Sequence, residues 1–255
     1  MKKGFINFLG TAGARFVMIN QLRSSGGIWL EYGRTKVLID PGPGSLIRCR
    51  KSRLKLDPCR LDAVILTHKH LDHCGDVNVM IEAMTEGGFK KRGVIFAPSD
   101  AFGQDGVVYG YLNNYLGKRE ILRKKKFSVG DIVFEVPIQN DHSVKTFGLK
   151  FLLGKRIVSF VSDTRYKPSL IKAYQGSSIL VLNVVFYERR PQYEHMCLED
   201  ALLMVDKIKP EKAIITHFGM SMIKAGLSKI SRRLRTKYQD RVVLAQDGLT
   251  FPIND

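Results

Sequence analysis

The sequence predicts an α/β chain, in which β-sheets are covered by α-helices, on three observations. Short apolar, β-branched runs recur along the whole length. In the first half they follow one another at hairpin-like spacing. In the second half they alternate with stretches of helical periodicity. A helical bundle or an all-β sandwich does not accommodate that mixture.

In chain order the strand-like runs are Phe5–Leu9, Ile28–Glu31, Lys36–Ile39, Ala63–Thr67, Val94–Ala97, Ile132–Ile138, Phe147–Leu153, Ile157–Val161, Ile179–Leu182, Ala213–Thr216 and Val242–Ala245. Helical spacing of apolar residues covers Asp76–Met84, Leu198–Ile208 and Ser221–Tyr238, and more weakly Pro168–Tyr174. The first run follows a basic start, Met1-Lys2-Lys3, but is short, broken by Asn7 and followed by glycines. It reads as a first strand and not as a signal peptide. No internal repeat, low-complexity segment or linker-like stretch interrupts the chain, so residues 1–255 read as one domain.

A chain of 255 residues is long enough to bury roughly three quarters of its unfolded surface without staples. Apolar residues at 44% and charged residues at 25% exclude disordered, collagenous and coiled-coil classes. With no apolar run of about 18 residues there is no membrane-spanning helix, and a cytoplasmic location is the expectation. Cys49, Cys59, Cys74 and Cys197 form no CxxC pair and read as four reduced thiols. The net charge of +17 favours anionic partners: nucleic acid, phosphorylated small molecules or an acidic surface. The basic runs Arg48–Arg53, Arg123–Lys126 and Arg232–Arg235 lack interleaved aromatics and add only modestly to a nucleic-acid reading.

Several apolar runs end in the same kind of residue. Val37-Leu38-Ile39 ends at Asp40, Val64–Thr67 at His68, Val158–Ser162 at Asp163 and Ala213–Thr216 at His217, while Val136-Pro137-Ile138 soon reaches Asp141-His142. Strands that deliver polar residues at their carboxyl ends commonly build a pocket there.

The cluster Thr67-His68-Lys69-His70-Leu71-Asp72-His73 carries the chemistry. In a helix His68 and His70 would point to roughly opposite sides, whereas in an extended stretch residues two apart point the same way. His68 and His70 can therefore grip one metal ion, and Asp72 and His73, where the chain turns toward a helix, suit a second. His142 can complete the first site and His217 the second, with Asp163 bridging both ions through its two oxygens. His and Asp ligands suit zinc, and manganese or iron as well. Two divalent ions, two aspartates and one hydroxide leave the site at about +1, which favours an anionic substrate.

At these residues the chain resembles the metallo-β-lactamase superfamily of binuclear hydrolases. The resemblance rests on Leu38–Gly42, Thr67–His73, His142, Ser162-Asp163-Thr164 and Thr216–Gly219, and covers nearly the whole length. It implies a four-layer αββα sandwich with two metal ions in a cleft at one edge. It also implies that Asp40, together with Thr67 of the motif, supports the site from behind, and that Asp72 additionally orients the attacking hydroxide. Within the superfamily the chain is most similar to the phosphodiesterase branch, which includes ribonuclease Z and cyclic phosphodiesterases. That likeness rests on Phe8–Gly13 and on Glu194-His195-Met196 before the helix Leu198–Ile208. It makes His195 a catalytic residue that protonates the leaving oxygen, although Met196-Cys197 stand where ribonuclease Z has Ser-Thr. It also allows a homodimer. The long arm by which ribonuclease Z holds RNA has no counterpart, and Ala97–Leu116 reads either as a wall of the substrate cleft or as a surface segment packing its tyrosines. The alternatives are hydrolysis of a thioester, lactone or other acyl substrate on the same scaffold, and a non-catalytic nucleic-acid-binding scaffold.

Overall fold

The computed structural model describes residues 2–254. Its elements in order are β1 (Gly4–Phe8), α1 (Ala14–Ile19), β2 (Ile28–Tyr32), β3 (Thr35–Ile39), α2 (Ser45–Lys51), β4 (Ala63–Ile65), α3 (Leu71–Cys74), α4 (Val77–Met84), β5 (Arg92–Ala97), β6 (Leu116–Ile121), β7 (Lys126–Val129), β8 (Ile132–Glu135), β9 (Leu149–Leu153), β10 (Arg156–Val161), α5 (Ser169–Tyr174), β11 (Ile179–Asn183), α6 (Leu198–Ile208), β12 (Lys212–Thr216), α7 (Met220–Ala225), α8 (Leu227–Tyr238), β13 (Val242–Leu244) and β14 (Thr250–Ile253).

The strands form two seven-stranded sheets, ordered β14-β1-β2-β3-β4-β5-β6 and β7-β8-β9-β10-β11-β12-β13. Both run through the same sequence of pairings, three antiparallel and then three parallel. The chain is therefore a structural duplication, although its sequence shows no repeat.

Strand alternation builds the layers. In β4, Ala63 and Ile65 face the core between the sheets, and Val64 faces outward toward Val77, Met80 and Ile81 of α4. In β11, Ile179 and Val181 face the same inter-sheet core, while Leu180 and Leu182 face a second cluster with Tyr174 of α5, Met204 and Val205 of α6, Met222 of α7 and Leu234 of α8. Each sheet thus buries one face on the other and one under helices, which is the αββα order expected. Phe96 of the first sheet and Phe134 of the second meet at a centroid distance of 5.1 Å and stitch the two together.

The expected helix over Ser221–Tyr238 is two helices, because Gly226 adopts φ +83° between α7 and α8. Helices α1, α2 and α3, of four to seven residues, are too short to register as periodicity. The segment Ala97–Leu116 packs largely on α4: the Asn78 side chain donates to the Val107 carbonyl, and the Tyr111 hydroxyl to Glu82. At its start Asp100 accepts from the Lys145 backbone, near His142. All four cysteines are free thiols, and among the described residues no helix is long and apolar enough to cross a membrane.

Candidate metal centre

All seven expected ligands lie at one edge of the sandwich, where strands of both sheets end. The first sheet supplies the loop after β4. There His70 has extended backbone, φ −67° and ψ 145°, and caps α3, so that Asp72 and His73 fall on the first turn of a helix rather than on the extended stretch with His68. The second sheet supplies His142 after β8, Asp163 after β10 and His217 after β12.

Two clusters result. Ligand atoms of His68, His70 and His142 lie within 4.8 Å of one another, as do those of Asp72, His73 and His217. Nε2 of His142 is 3.1 Å from Nδ1 of His70, and the Nε2 atoms of His73 and His217 are 3.3 Å apart. Asp163 lies between the clusters, its Oδ2 at 3.2 Å from His217 Nε2, 3.5 Å from His73 Nε2 and 3.9 Å from His68 Nε2.

The hydrogen bonds behind these groups fix which nitrogens carry protons. The Thr67 backbone N–H and hydroxyl both donate to Asp40, at 2.6 Å. With its only proton so used, the Thr67 oxygen accepts, and His68 Nδ1 at 3.1 Å must be the donor. Ser162 Oγ, 2.7 Å away, donates to the same oxygen. Asp40 also accepts from His73 Nδ1 at 2.9 Å, and the Glu194 carbonyl from His142 Nδ1 at 3.1 Å. Each of these rings is anchored through one nitrogen and turns the other inward. Such outer hydrogen bonds are how ligating histidines are oriented. Asp40 and Thr67 contact the outer nitrogens of His73 and His68, on the side away from the inward Nε2 atoms.

The residues fit divalent cations. His68 is fully buried and its inward Nε2 has no hydrogen-bond partner. An unpartnered lone pair at that depth is costly unless an ion accepts it. Burial, then the charge of His73, pushes the pKa of His68 well below the usual range, so the ring is neutral. Burial and neighbouring His142 lower His70 too. Burial opposes charge on His73 as well, but Asp163, Asp72 and Asp40 outweigh it and hold that pKa well above normal. Burial likewise opposes charge on Asp163, yet His217, His73 and His195 keep its carboxyl well below the usual range. The carboxylates demand positive charge at the inward nitrogens, which a metal ion supplies as well as a proton does.

His195 joins the rim: its Nδ1 is 3.5 Å from Asp163 Oδ2 and its ring 5.0 Å from that of His142. Burial, only partly offset by Asp163, pushes its pKa down to about 4.

Several contributors were not singled out in the sequence. Asn183 donates through Nδ2 to Asp163 Oδ1 at 2.8 Å, leaving Oδ2 for the cavity. It ends β11 as Asp163 and His217 follow their strands, so the strand-end rule extends to it. Asn140 donates to the carbonyls of Ser162 and Asp163. The backbone N–H of Ala14 donates to Asp72 Oδ2 at 3.1 Å, a contact with no sequence signal. Asp40 and His217 adopt left-handed backbone, φ +50° and +64°. That conformation is strained for a side-chain-bearing residue and clusters at functional sites. Gly13 in the early Phe8–Gly13 motif is required by close approach, since a Cβ there would stand 2.1 Å from the His217 carbonyl oxygen.

Residues 35–218 match the family model described as "Beta-lactamase superfamily domain". The chain belongs to this superfamily. An uncharacterized protein of Methanocaldococcus jannaschii, MJ1374, is 30% identical over 85% of this chain and 84% of its own length. Ribonuclease Z of Agathobacter rectalis is 23% identical over 85% of this chain and 88% of that enzyme. Among solved structures, the metallo-β-lactamase-fold protein YhfI from Bacillus subtilis superposes with a TM-score of 0.80 at 19% identity, covering 98% of this chain and 99% of that one. A diphosphatase of the PhnP family gives 0.74 at 17% identity, covering 99% and 98%. The superfamily member described here is a metallo-β-lactamase-fold hydrolase with a His/Asp cluster suited to divalent metal.

Proposed function

We propose that this protein is a binuclear metal-dependent phosphodiesterase acting on an anionic small molecule or nucleic acid. His68, His70 and His142 would hold one divalent ion and Asp72, His73 and His217 the other, with Asp163 offering its Oδ2 to both clusters. The observation that carries the reading is the pair of three-ligand clusters facing one carboxylate oxygen of Asp163. The net charge of +17 favours a phosphate-bearing substrate. A relative named ribonuclease Z and a structural neighbour called a diphosphatase support the same chemistry.

When bound, the two ions, with zinc the first choice and manganese or iron also compatible, supply Lewis acidity and a water acidic enough to ionise near neutral pH. The protein's own groups do the rest. Asp72, held by the Ala14 backbone N–H at 3.1 Å, orients the nucleophile. Asp40 and Thr67 keep His73 and His68 in the tautomers that leave Nε2 free. His195 faces the scissile bond and protonates the leaving oxygen. Its depressed pKa keeps it neutral in the free protein at pH 7, and an anionic phosphate against the ring favours the protonated form.

The test is metal content of the purified chain together with parallel turnover of an aryl phosphodiester and a thioester. Bound transition metal with preferential phosphodiester cleavage is expected. A chain with no tightly bound metal that stays inert in zinc or manganese overturns the proposal, and preferential thioester cleavage overturns its substrate class.

A further inference from the structure

We propose that Tyr193, Phe186 and Arg190 form a stacking subsite for the nucleobase on the leaving side of the scissile phosphodiester, an inference that rests on the phosphodiesterase reading above. Four aromatic rings make a continuous row out of the candidate metal centre. His142 and His195 are 5.0 Å apart at 66°, His195 and Phe186 6.0 Å at 79°, and Phe186 and Tyr193 5.4 Å at 41°. The row runs from the interior to solvent: 3% of the His142 side chain, 20% of the His195 side chain and 48% of Tyr193 are exposed.

The row is held in place by the backbone. The Phe186 N–H donates to the Met196 carbonyl at 3.3 Å, and the Leu198 N–H to the Phe186 carbonyl at 2.9 Å, tying the ring to the start of α6. The Tyr193 N–H donates to the Arg190 carbonyl at 3.0 Å, closing a turn that brings ring and cation to one end of the row. The Arg190 guanidinium carbon stands 5.3 Å from the Phe186 ring centroid. Its neighbour Arg189 is committed to Asp200.

A partly exposed tyrosine tilted against a fixed aromatic, with a guanidinium over that aromatic, matches the chemistry of a flat heteroaromatic ring attached to a phosphate. Bases stack on aromatic side chains through their π-faces with little dependence on sequence, and arginine adds a cation–π contribution. His195 stands in the row between His142 and Phe186, so the stacked base belongs to the group that leaves with the proton His195 delivers.

The experiment is calorimetric binding of adenosine 5′-monophosphate and ribose 5-phosphate to the purified chain, with thermal unfolding as the check on folding. The base-bearing ligand is expected to bind about tenfold or more tightly, as stacking of one base implies. Tyr193→Ala abolishes that preference and Tyr193→Phe keeps it. If Tyr193→Ala unfolds, Arg190→Ala, expected to weaken the preference, gives the same test. Equal affinities in the parent protein, or a preference that survives both alanine variants, overturn the subsite. A base preference in a protein that cleaves no phosphodiester instead overturns the proposed reaction and leaves the subsite standing, while phosphodiester turnover without the preference does the reverse.

Discussion

The two sheets have the same strand order and the same pattern of pairings, yet they furnish the site in opposite ways. The first contributes four candidate ligands from one loop after β4, whereas the second contributes three from separate strand ends. The contrast is sharpest at matching strands. Asp40 follows β3 and Asp163 follows β10, each strand being the last antiparallel partner before the parallel run. Both are buried or nearly so and both touch His73. Asp40 spends its oxygens on Thr67 and on the outer nitrogen of His73. Asp163 satisfies one oxygen on Asn183 and turns the other to the inward nitrogens. Residue type and strand position are therefore shared, and what separates the supporting aspartate from the candidate ligand is the partner that occupies the remaining oxygen.

Replacing Asp163 should have the largest effect. If the protein works as proposed, Asp163→Ala is expected to lower phosphodiester turnover by about a thousandfold or more, since several kcal/mol of electrostatic stabilisation would pass through two ions held beside it. Steady-state kinetics and metal analysis read it, and comparable losses for Asp163→Ala and Asp40→Asn would erase the distinction drawn between the two aspartates. A second test asks whether the sheets are one cooperative unit. Phe134 stacks on Phe127 and Phe151 and meets Phe96 across the layers, so Phe134→Ala should cost about 3–5 kcal/mol. Urea unfolding should show this as one shifted transition, and two separate transitions would mean that the halves melt independently.

Asp40→Asn should be milder, lowering metal affinity roughly 10–100-fold, as loss of an outer hydrogen bond to a ligand does. Competition with a chelator measures it. Acid sensitivity of the metal-free protein is smaller still. His68, His70 and His195 are all depressed by burial, His195 to about 4. At these three groups the unfolded chain takes up protons first, so their contribution to stability is full above about pH 6.5 and falls as pH drops toward 4, while His73, held above its normal pKa, works in the opposite direction. His195→Asn should flatten part of that slope, and an unchanged profile would show that the His195 ring is not shielded as its burial implies. The buried thiols should respond least: burial pushes Cys49 up to about 12 and Cys74 to about 11, so neither should be alkylated at pH 8 until the chain unfolds.

Central strands were legible because burial on both faces makes them nearly continuous apolar runs, and α6 was legible from Leu198 to Ile208 because eleven residues suffice to show a helical face. The missed strands β6, β7 and β14 are all sheet edges. An edge is half-paired and protected by charge or proline. β6 reads Leu-Gly-Lys-Arg-Glu-Ile and β14 carries Pro252, so neither looks like a strand.

By itself the sequence determined the residue types of the site and their places at strand ends, because one loop holds three histidines and an aspartate at fixed spacing and buried strands announce where they stop. Tertiary structure alone decided how those groups converge. Asn183, Asn140 and the Ala14 backbone N–H act across 20, 23 and 58 residues of chain. The tautomers of His73 and His142 depend on Asp40 and the Glu194 carbonyl, 33 and 52 residues away along the chain, and that of His68 on Thr67, whose proton is taken by Asp40. Ligand identity is a local property of the chain, whereas ligand orientation belongs to hydrogen bonds that exist only in the folded state.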